Sequence, residues 1–284
     1  MILETLTKVN EKFKEKIKDT CLCELKTIRF DRGNSPDYNK DIIQLLYLLR
    51  YYPAYLCEYK YIYQNIITKN IFNNLHILSI GCGCCVDYHG AFLANQRNYS
   101  NIAYTGIDIT DWDFADSFGN SNFIRLFEDI KSIILPEENN YNIVIFPKSI
   151  SEFDDESFNT FLSNLSITKF TQDKIILISS SMDIGYQFDE QRYKIVLQQF
   201  ESFGFKPDKY MPPQEIAQKG GLNRLDSQFD YPNNIKDDIS YLSTECKKFI
   251  ETGENCEIEC LNQLNKSPIL RTNYISFQIN ILKR

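Results

Sequence analysis

Histidine is almost absent from this chain. His76 and His89 are the only two in 284 residues, so a histidine-built metal centre or a serine triad has little to draw on. Basic charge is also short: 31 Lys and Arg stand against 38 Asp and Glu, giving a net charge of −7 and a pI near 5.1. Tracking a phosphate backbone needs clustered cations, so nucleic acid is a poor expected partner. No apolar run approaches the ~18 residues that a membrane span requires. The first residues, MILETLTKVNEKFKEK, lack the apolar centre of a secretory signal. There is no Walker phosphate loop, no internal repeat and no low-complexity tract.

Cysteine is better supplied. Nine is an odd number, and Cys82, Cys84 and Cys85 sit too close together for a simple disulfide framework. Cys21-x-Cys23, Cys82-x-Cys84-Cys85 and Cys256-x-x-x-Cys260 read as pairs without the C-x-x-C spacing typical of a zinc knuckle. No metal is expected, and free thiols in a reducing cytoplasm are the expected state. With 43% hydrophobic residues the chain can bury one large core or two small ones.

The stretch that organises the rest is Leu75–Asp87, LHILSIGCGCCVD. Leu75, Ile77, Leu78 and Ile80 make one buried strand, which ends at Gly81-Cys82-Gly83. A helical pattern begins at about Tyr88. Strand, glycine turn and helix together form the entry to a nucleotide-binding α/β unit.

Before it, Ile2, Leu6, Val9, Phe13 and Ile17 recur at helical spacing. Asp37 to about Thr68 reads as a second helix that Pro53 breaks or kinks. Its tyrosines, Tyr47, Tyr51, Tyr52, Tyr55, Tyr59, Tyr61 and Tyr63, read first as packing and second as walls of a substrate pocket.

After it, Ile102–Ile109 is a strand carrying Asp108, about 25 residues beyond the glycine turn. An acid there is placed to accept from both ribose hydroxyls. Trp112 follows as a possible neighbour of an adenine ring. Further strands are expected at Asn122–Leu126, Asn142–Phe146, Lys174–Ser179 and after Phe205 to Tyr210, with Asn273–Leu282 as the last. Helices are expected from an N-cap at Asp154 or Asp155, through Phe158, Phe161 and Leu165, and over Asp189–Phe203. Residues 211–270 are polar and turn-rich, with one helical stretch near Ile235–Ile250.

Strands alternating with helices predict a parallel sheet wound on both faces, and the late helix–strand–insert–strand order predicts an antiparallel final strand. That arrangement, with IGCGCC after the first strand and GID ending the second, resembles the Rossmann-like (class I) S-adenosylmethionine-dependent methyltransferases. The resemblance covers roughly Asn74–Phe205 and the last strand. The expected architecture is α/β: a mostly parallel seven-stranded sheet with helices on both faces. A helical N-terminal cap over residues 1–73 precedes the Rossmann-like domain of residues 74–284, which carries the insert at about 211–270.

The family has an acid, then glycines at alternating positions. Here Ser79 stands in the acid's place, Gly81 and Gly83 match, and Cys85 takes the third glycine's place. The resemblance implies cofactor contacts from Ser79, Gly81, Cys82, Gly83 and Asp87, from Asp108 and Ile109 at the ribose, and from Asp129 and Ile130 at the adenine. Pro147 opens the segment through Glu152 that matches, by position, the one facing the transferred methyl. Glu152, Lys148 and Ser149 are therefore the candidate catalytic residues. Glu152 also reads as a solvated acid at a helix N-terminus. The rival dinucleotide reading needs G-x-G-x-x-G, and Val86 occupies the third position. The N/D-P-P-Y/F tetrad and the Pro-Cys nucleophile used on nucleobases are both missing after the fourth strand.

Three readings follow: methyl transfer to a small molecule, methyl transfer to a protein, or a non-catalytic S-adenosylmethionine-binding module. Nothing in the sequence specifies an oligomer.

Overall fold

The computed structural model describes residues 2–25, 28, 30, 36–68, 71–97, 101–115, 117–133, 135–136, 138–181, 187–208, 223–228, 231–235, 246–254 and 271–284. The Asp31–Ser35 turn cluster, Pro212-Pro213, Gly220-Gly221, Cys256 and Cys260 lie outside the described residues, as does most of the 211–270 insert. Of the helix expected near Ile235–Ile250, residues 236–245 are outside, and a short helix covers Lys247–Thr252. The chain divides into two compact units. One comprises Met1–Cys57, Trp112–Phe114 and Asp226–Thr272; the other comprises Glu58–Asp111, Ala115–Leu225 and Asn273–Arg284. No helix among the described residues is long and apolar enough to cross a membrane.

The first unit is built on helix α1 (Ile2–Ile17) and most of helix α2 (Asp41–Ile67). Leu6, Val9, Phe13 and Ile17 are wholly buried, as one stripe of a helix with 3.6 residues per turn requires. Helix α2 does not break at Pro53 but runs through it for 27 residues. A proline has no N–H to give the carbonyl four residues back, which leaves Leu49 without its helical donor. The buried Tyr231 hydroxyl donates to that Leu49 carbonyl at 2.7 Å. The α2 tyrosines of this unit pack as an aromatic cluster: Tyr47, Tyr51 and Tyr55 lie ring against ring with Phe30, Tyr38 and Trp112. Trp112 is buried there, 5.2 Å from Tyr38 and 5.4 Å from Tyr47 between ring centres.

The second unit begins with the last turns of α2 and continues through β1 (Leu75–Ile80), α3 (Val86–Ala94), β2 (Ile102–Asp108), β3 (Phe123–Phe127) and β4 (Ile143–Pro147). Then come α4 (Asp155–Ser166), β5 (Lys174–Ser181), α5 (Gln187–Ser202), β6 (Lys206–Pro207) and β7 (Arg271–Lys283). The strand order is β3-β2-β1-β4-β5-β7-β6, and a further strand, Asn223–Gln228, pairs with β7. The first five strands are parallel, and β7 is antiparallel to β5 and β6. This is the Rossmann-like sheet with an antiparallel final strand that the sequence predicts. Helix α3 starts two residues before Tyr88. Asp154 is the N-cap of α4, accepting from the Ser157 N–H at 2.6 Å.

Alternation along the strands covers both faces. Leu78, Ile80, Val144, Phe146 and Leu177 face one core with Phe158 and Phe161 of α4 and Tyr193, Val196 and Phe200 of α5. The intervening Ile77, Ile143, Ile145, Ile176 and Ile178 are equally buried on the other face. There the Tyr59 hydroxyl lies 2.9 Å from Ser180 Oγ. Gly90 lets α3 cross the end of α2 closely, since a Cβ on it would fall 2.4 Å from that of Tyr59.

Tyr231→Phe is expected to destabilise the chain by about 1–2 kcal/mol, the cost of orphaning a buried carbonyl. Pro53→Ala restores the missing helical donor, so the penalty should shrink in that background. A double-mutant cycle by urea unfolding measures both.

Candidate functional site

Strand order reverses between β1 and β4, and in open α/β sheets the crevice outside the carboxyl ends at such a point is where ligands bind. The residues gathered there are the end of β1 with its turn, Asp108 ending β2, Pro147–Ser149 after β4, and Ser180–Ser181 ending β5.

The turn is tied down from three sides. The Gly81 and Cys82 amides both donate to the Ile107 carbonyl, at 2.8 and 3.0 Å. The Gly83 amide donates to Asp108 Oδ2 at 2.7 Å. The Ser149 hydroxyl donates to the Ile80 carbonyl. Gly81 sits at φ +70°, and a Cβ on it would fall 2.4 Å from Ser149 Cβ, so no other residue fits there. Cys85 is held at φ +59°, in the left-handed region that glycine prefers. The backbone of the third glycine position is thus kept although its residue is changed.

The predicted residues fall into distinct groups. Gly81, Cys82, Gly83, Asp108, Pro147, Lys148 and Ser149 meet at the carboxyl ends of the strands. Asp108 is partly buried and also accepts from the Thr110 amide, at 2.8 Å, through Oδ1. Ile109 next to it is exposed. Asp129 caps a short turn, accepting from the Lys131 amide at 3.0 Å, while Ile130 points into the core. Glu152 is exposed; its amide donates to the Ser149 carbonyl at 2.8 Å. Ser149 is buried with its hydroxyl committed to β1, which suits holding the turn rather than attacking a substrate.

Lys148 stands at φ +58°, uncommon for a side-chain-bearing residue and frequent at functional sites. Its Nζ is 2.7 Å from Glu58 Oε2 in a buried ion pair, with the Ser181 carbonyl at 3.4 Å. Its amide donates to Ser180 Oγ at 3.1 Å. Arg192 of α5, also buried, holds the following segment. Its guanidinium donates to the Ile150 and Phe153 carbonyls, pairs with Asp155 at 2.7 Å, and lies over the rings of Phe158 and Phe188.

Glu58 and Arg192 were not singled out from the sequence. A lone acid in the tyrosine-rich α2 was the available signal for the first; Arg192 on an amphipathic helix gives none. The Cys82–Cys85 pair was also missed, although its C-x-x-C spacing was legible: Cys85 Sγ lies 3.7 Å from Cys82 Sγ.

Beneath the turn, Asp87 is wholly buried, and its Oδ1 accepts from the Tyr104 hydroxyl at 2.9 Å. Ser79 and Tyr63 neighbour the same carboxyl. Asp87 Oδ2, Ser79 Oγ and the Tyr63 hydroxyl are nevertheless buried with no partner at hydrogen-bond distance among the described residues. Burial pushes the Asp87 carboxyl up to about 6, with the Tyr104 hydrogen bond pulling the other way. His89 of α3 is buried with its ring 4.7 Å from that of Phe118. Among the described residues no His, Cys, Asp or Glu cluster could hold a metal ion.

No protein-family model matches the chain, and no curated protein matches it. Solved structures do. Magnesium protoporphyrin IX methyltransferase from Synechocystis, solved with bound S-adenosylmethionine, is 13% identical over 97% of both chains, with a TM-score of 0.40. The plantazolicin methyltransferase BpumL, solved with S-adenosylhomocysteine, is 15% identical over 97% of this chain and 99% of its own, with a TM-score of 0.37. A TehB-like S-adenosylmethionine-dependent methyltransferase from Corynebacterium glutamicum is 12% identical over 82% of this chain and 99% of its own, with a TM-score of 0.33. At such identities and scores these likenesses say nothing of an acceptor, and the fold rests on this chain's own strand order.

The Asp87 carboxyl, at about 6 in the folded chain, has an ordinary value of 3.8. Between those values the folded chain holds the proton more tightly than the unfolded one, so this group's contribution to stability falls as pH rises through the window. Asp87→Asn keeps an acceptor for Tyr104 and cannot ionise. Its stability relative to the parent should therefore improve by about 1–3 kcal/mol between pH 4 and pH 7. Urea unfolding at both pH values tests this.

Proposed function

We propose that this chain transfers a methyl group from S-adenosylmethionine to a small-molecule acceptor. The observation that carries the reading is the Gly81-Cys82-Gly83 turn at the β1/β4 reversal, with the Asp108 carboxylate bonded to its Gly83 amide. Fit favours a nucleoside ligand. Asp108 is only partly buried at the end of β2, and a carboxylate with about four lone-pair sites can accept a ribose hydroxyl beside its backbone N–H partners.

When bound, S-adenosylmethionine supplies a methyl already activated by its sulfonium, so transfer is an in-line displacement whose main demand is geometry. The chain's own residues meet that demand by rigidity. Ser149 holds the turn to the loop after β4, the Lys148–Glu58 pair fixes that loop to α2, and Arg192 fixes it to α5. A general base is needed only if the acceptor must lose a proton early. Glu152, exposed on the same segment, is the carboxylate proposed to meet the acceptor. Asp129 is proposed to face the adenine from the turn after β3.

A small acceptor agrees with the net charge of −7 and the lack of nucleobase motifs. A protein acceptor is the alternative. The non-catalytic reading drew on the changes at Ser79 and Cys85; the left-handed Cys85 and the buried acid beside Ser79 weigh against it.

S-adenosylmethionine should raise the thermal midpoint of the chain. Asp108→Asn should weaken its binding about tenfold or more, the worth of a charge-assisted hydrogen bond. Unchanged affinity would remove Asp108 from the site. Incubation with methyl-labelled cofactor and cell extract, followed by separation by size, then places the label in small molecules or in protein. Binding without any transfer would establish the non-catalytic module.

A further inference from the structure

The paired thiols of the turn are used by nothing in the chemistry above. Cys82 and Cys85 are the ends of a turn closed by the Cys85 amide, which donates to the Cys82 carbonyl at 2.9 Å. That closure sets Cys85 Sγ 3.7 Å from Cys82 Sγ, with both thiols free. A disulfide needs about 2.05 Å between its sulfurs, so an approach of roughly 1.7 Å completes it. A second observation is independent of the distance. Cys85 keeps a side chain at φ +59°, where glycine would sit without strain. The strained side chain is the one whose sulfur faces Cys82.

We propose that Cys82 and Cys85 are a dithiol that a small hydroperoxide oxidises to a disulfide, and that this disulfide weakens the turn's grip on its cofactor. The second clause rests on the S-adenosylmethionine reading above.

With hydrogen peroxide the step balances as follows. One sulfur, as thiolate, attacks a peroxide oxygen, the O–O bond breaks, and a sulfenic acid and one water result. The second thiol attacks that sulfur; the S–S bond forms, the S–O bond breaks, and a second water leaves. Each sulfur loses one electron, each peroxide oxygen gains one, and both thiol protons end in water.

The surroundings shape rate and consequence. Burial pushes the Cys82 thiol well up, and the nearby Asp108 and Asp87 charges add to this. Thiolate is therefore scarce at neutral pH, and oxidation should be slow and faster as pH rises. Cys82 Sγ packs on Gly106, where a Cβ would come within 2.9 Å of it. Drawing the sulfur to Cys85 shortens the turn around Gly83, whose amide is the one held by Asp108.

The test treats the full-length reduced chain with hydrogen peroxide, alkylates the remaining thiols and maps the peptide spanning residues 82–85. The expected product has lost two hydrogens, carries alkylated Cys84 and is opened by dithiothreitol. The Cys82–Cys85 disulfide should form in the parent and in Cys84→Ser, and be absent in Cys82→Ser and in Cys85→Gly, a substitution that suits the left-handed backbone. Oxidation should also lower S-adenosylmethionine affinity about tenfold or more, reversibly with dithiothreitol. Linkage through Cys84 or a distant cysteine, over-oxidation without a disulfide, or equal affinity in both states would overturn the proposal. If the reduced chain binds no S-adenosylmethionine, the functional reading fails by itself. Linkage mapping with hydrogen exchange at the Gly83 amide then decides the dithiol, a disulfide that leaves its protection unchanged counting against it.

Discussion

The end of β1 and the loop after β4 are joined by a contact that only one pair of residues satisfies. Gly81 must lack a side chain because Ser149 occupies the place where its Cβ would go, and Ser149 can sit there because its buried hydroxyl finds the Ile80 carbonyl. Everything at the carboxyl ends of the strands hangs on this junction. It sets where the Gly83 amide meets Asp108, and it starts the segment that Lys148 and Arg192 then anchor to α2 and α5. The position of the candidate site thus follows from a steric condition at one glycine more than from any strong attraction.

The two acids near the turn show how environment assigns roles. Asp108 ends a strand, is only partly buried and accepts two backbone amides. Asp87 is closed off from water, with one tyrosine hydroxyl at one of its oxygens. It behaves as part of the core that supports the turn. The family resemblance implies cofactor contacts from both, but a motif match is blind to which side of the turn a side chain faces.

Much of the second unit was legible. Continuous apolar runs such as NIVIF and KIILIS have one reading when both faces of a sheet are covered, and the alternating NYISFQINIL pointed to a strand of another kind. Legibility failed where a residue's role is set by a distant partner. The carbonyls that Arg192 serves belong to a loop some forty positions earlier, at Ile150 and Phe153, and Glu58 acquires meaning only when Lys148 is placed beside it. That Pro53 does not break α2 has the same cause. Its rule concerns a lost local hydrogen bond, and the replacement comes from Tyr231.

That replacement has a consequence for how the chain is made. Helix α2 is synthesised early, but the hydroxyl that satisfies its Leu49 carbonyl emerges only with Tyr231. β7, which lies between β5 and β6, likewise comes after both of them in the sequence. The α2 helix therefore waits for a partner 182 residues further along the chain. A nascent chain stalled before residue 231 would carry a helix with its middle turn still answered by water.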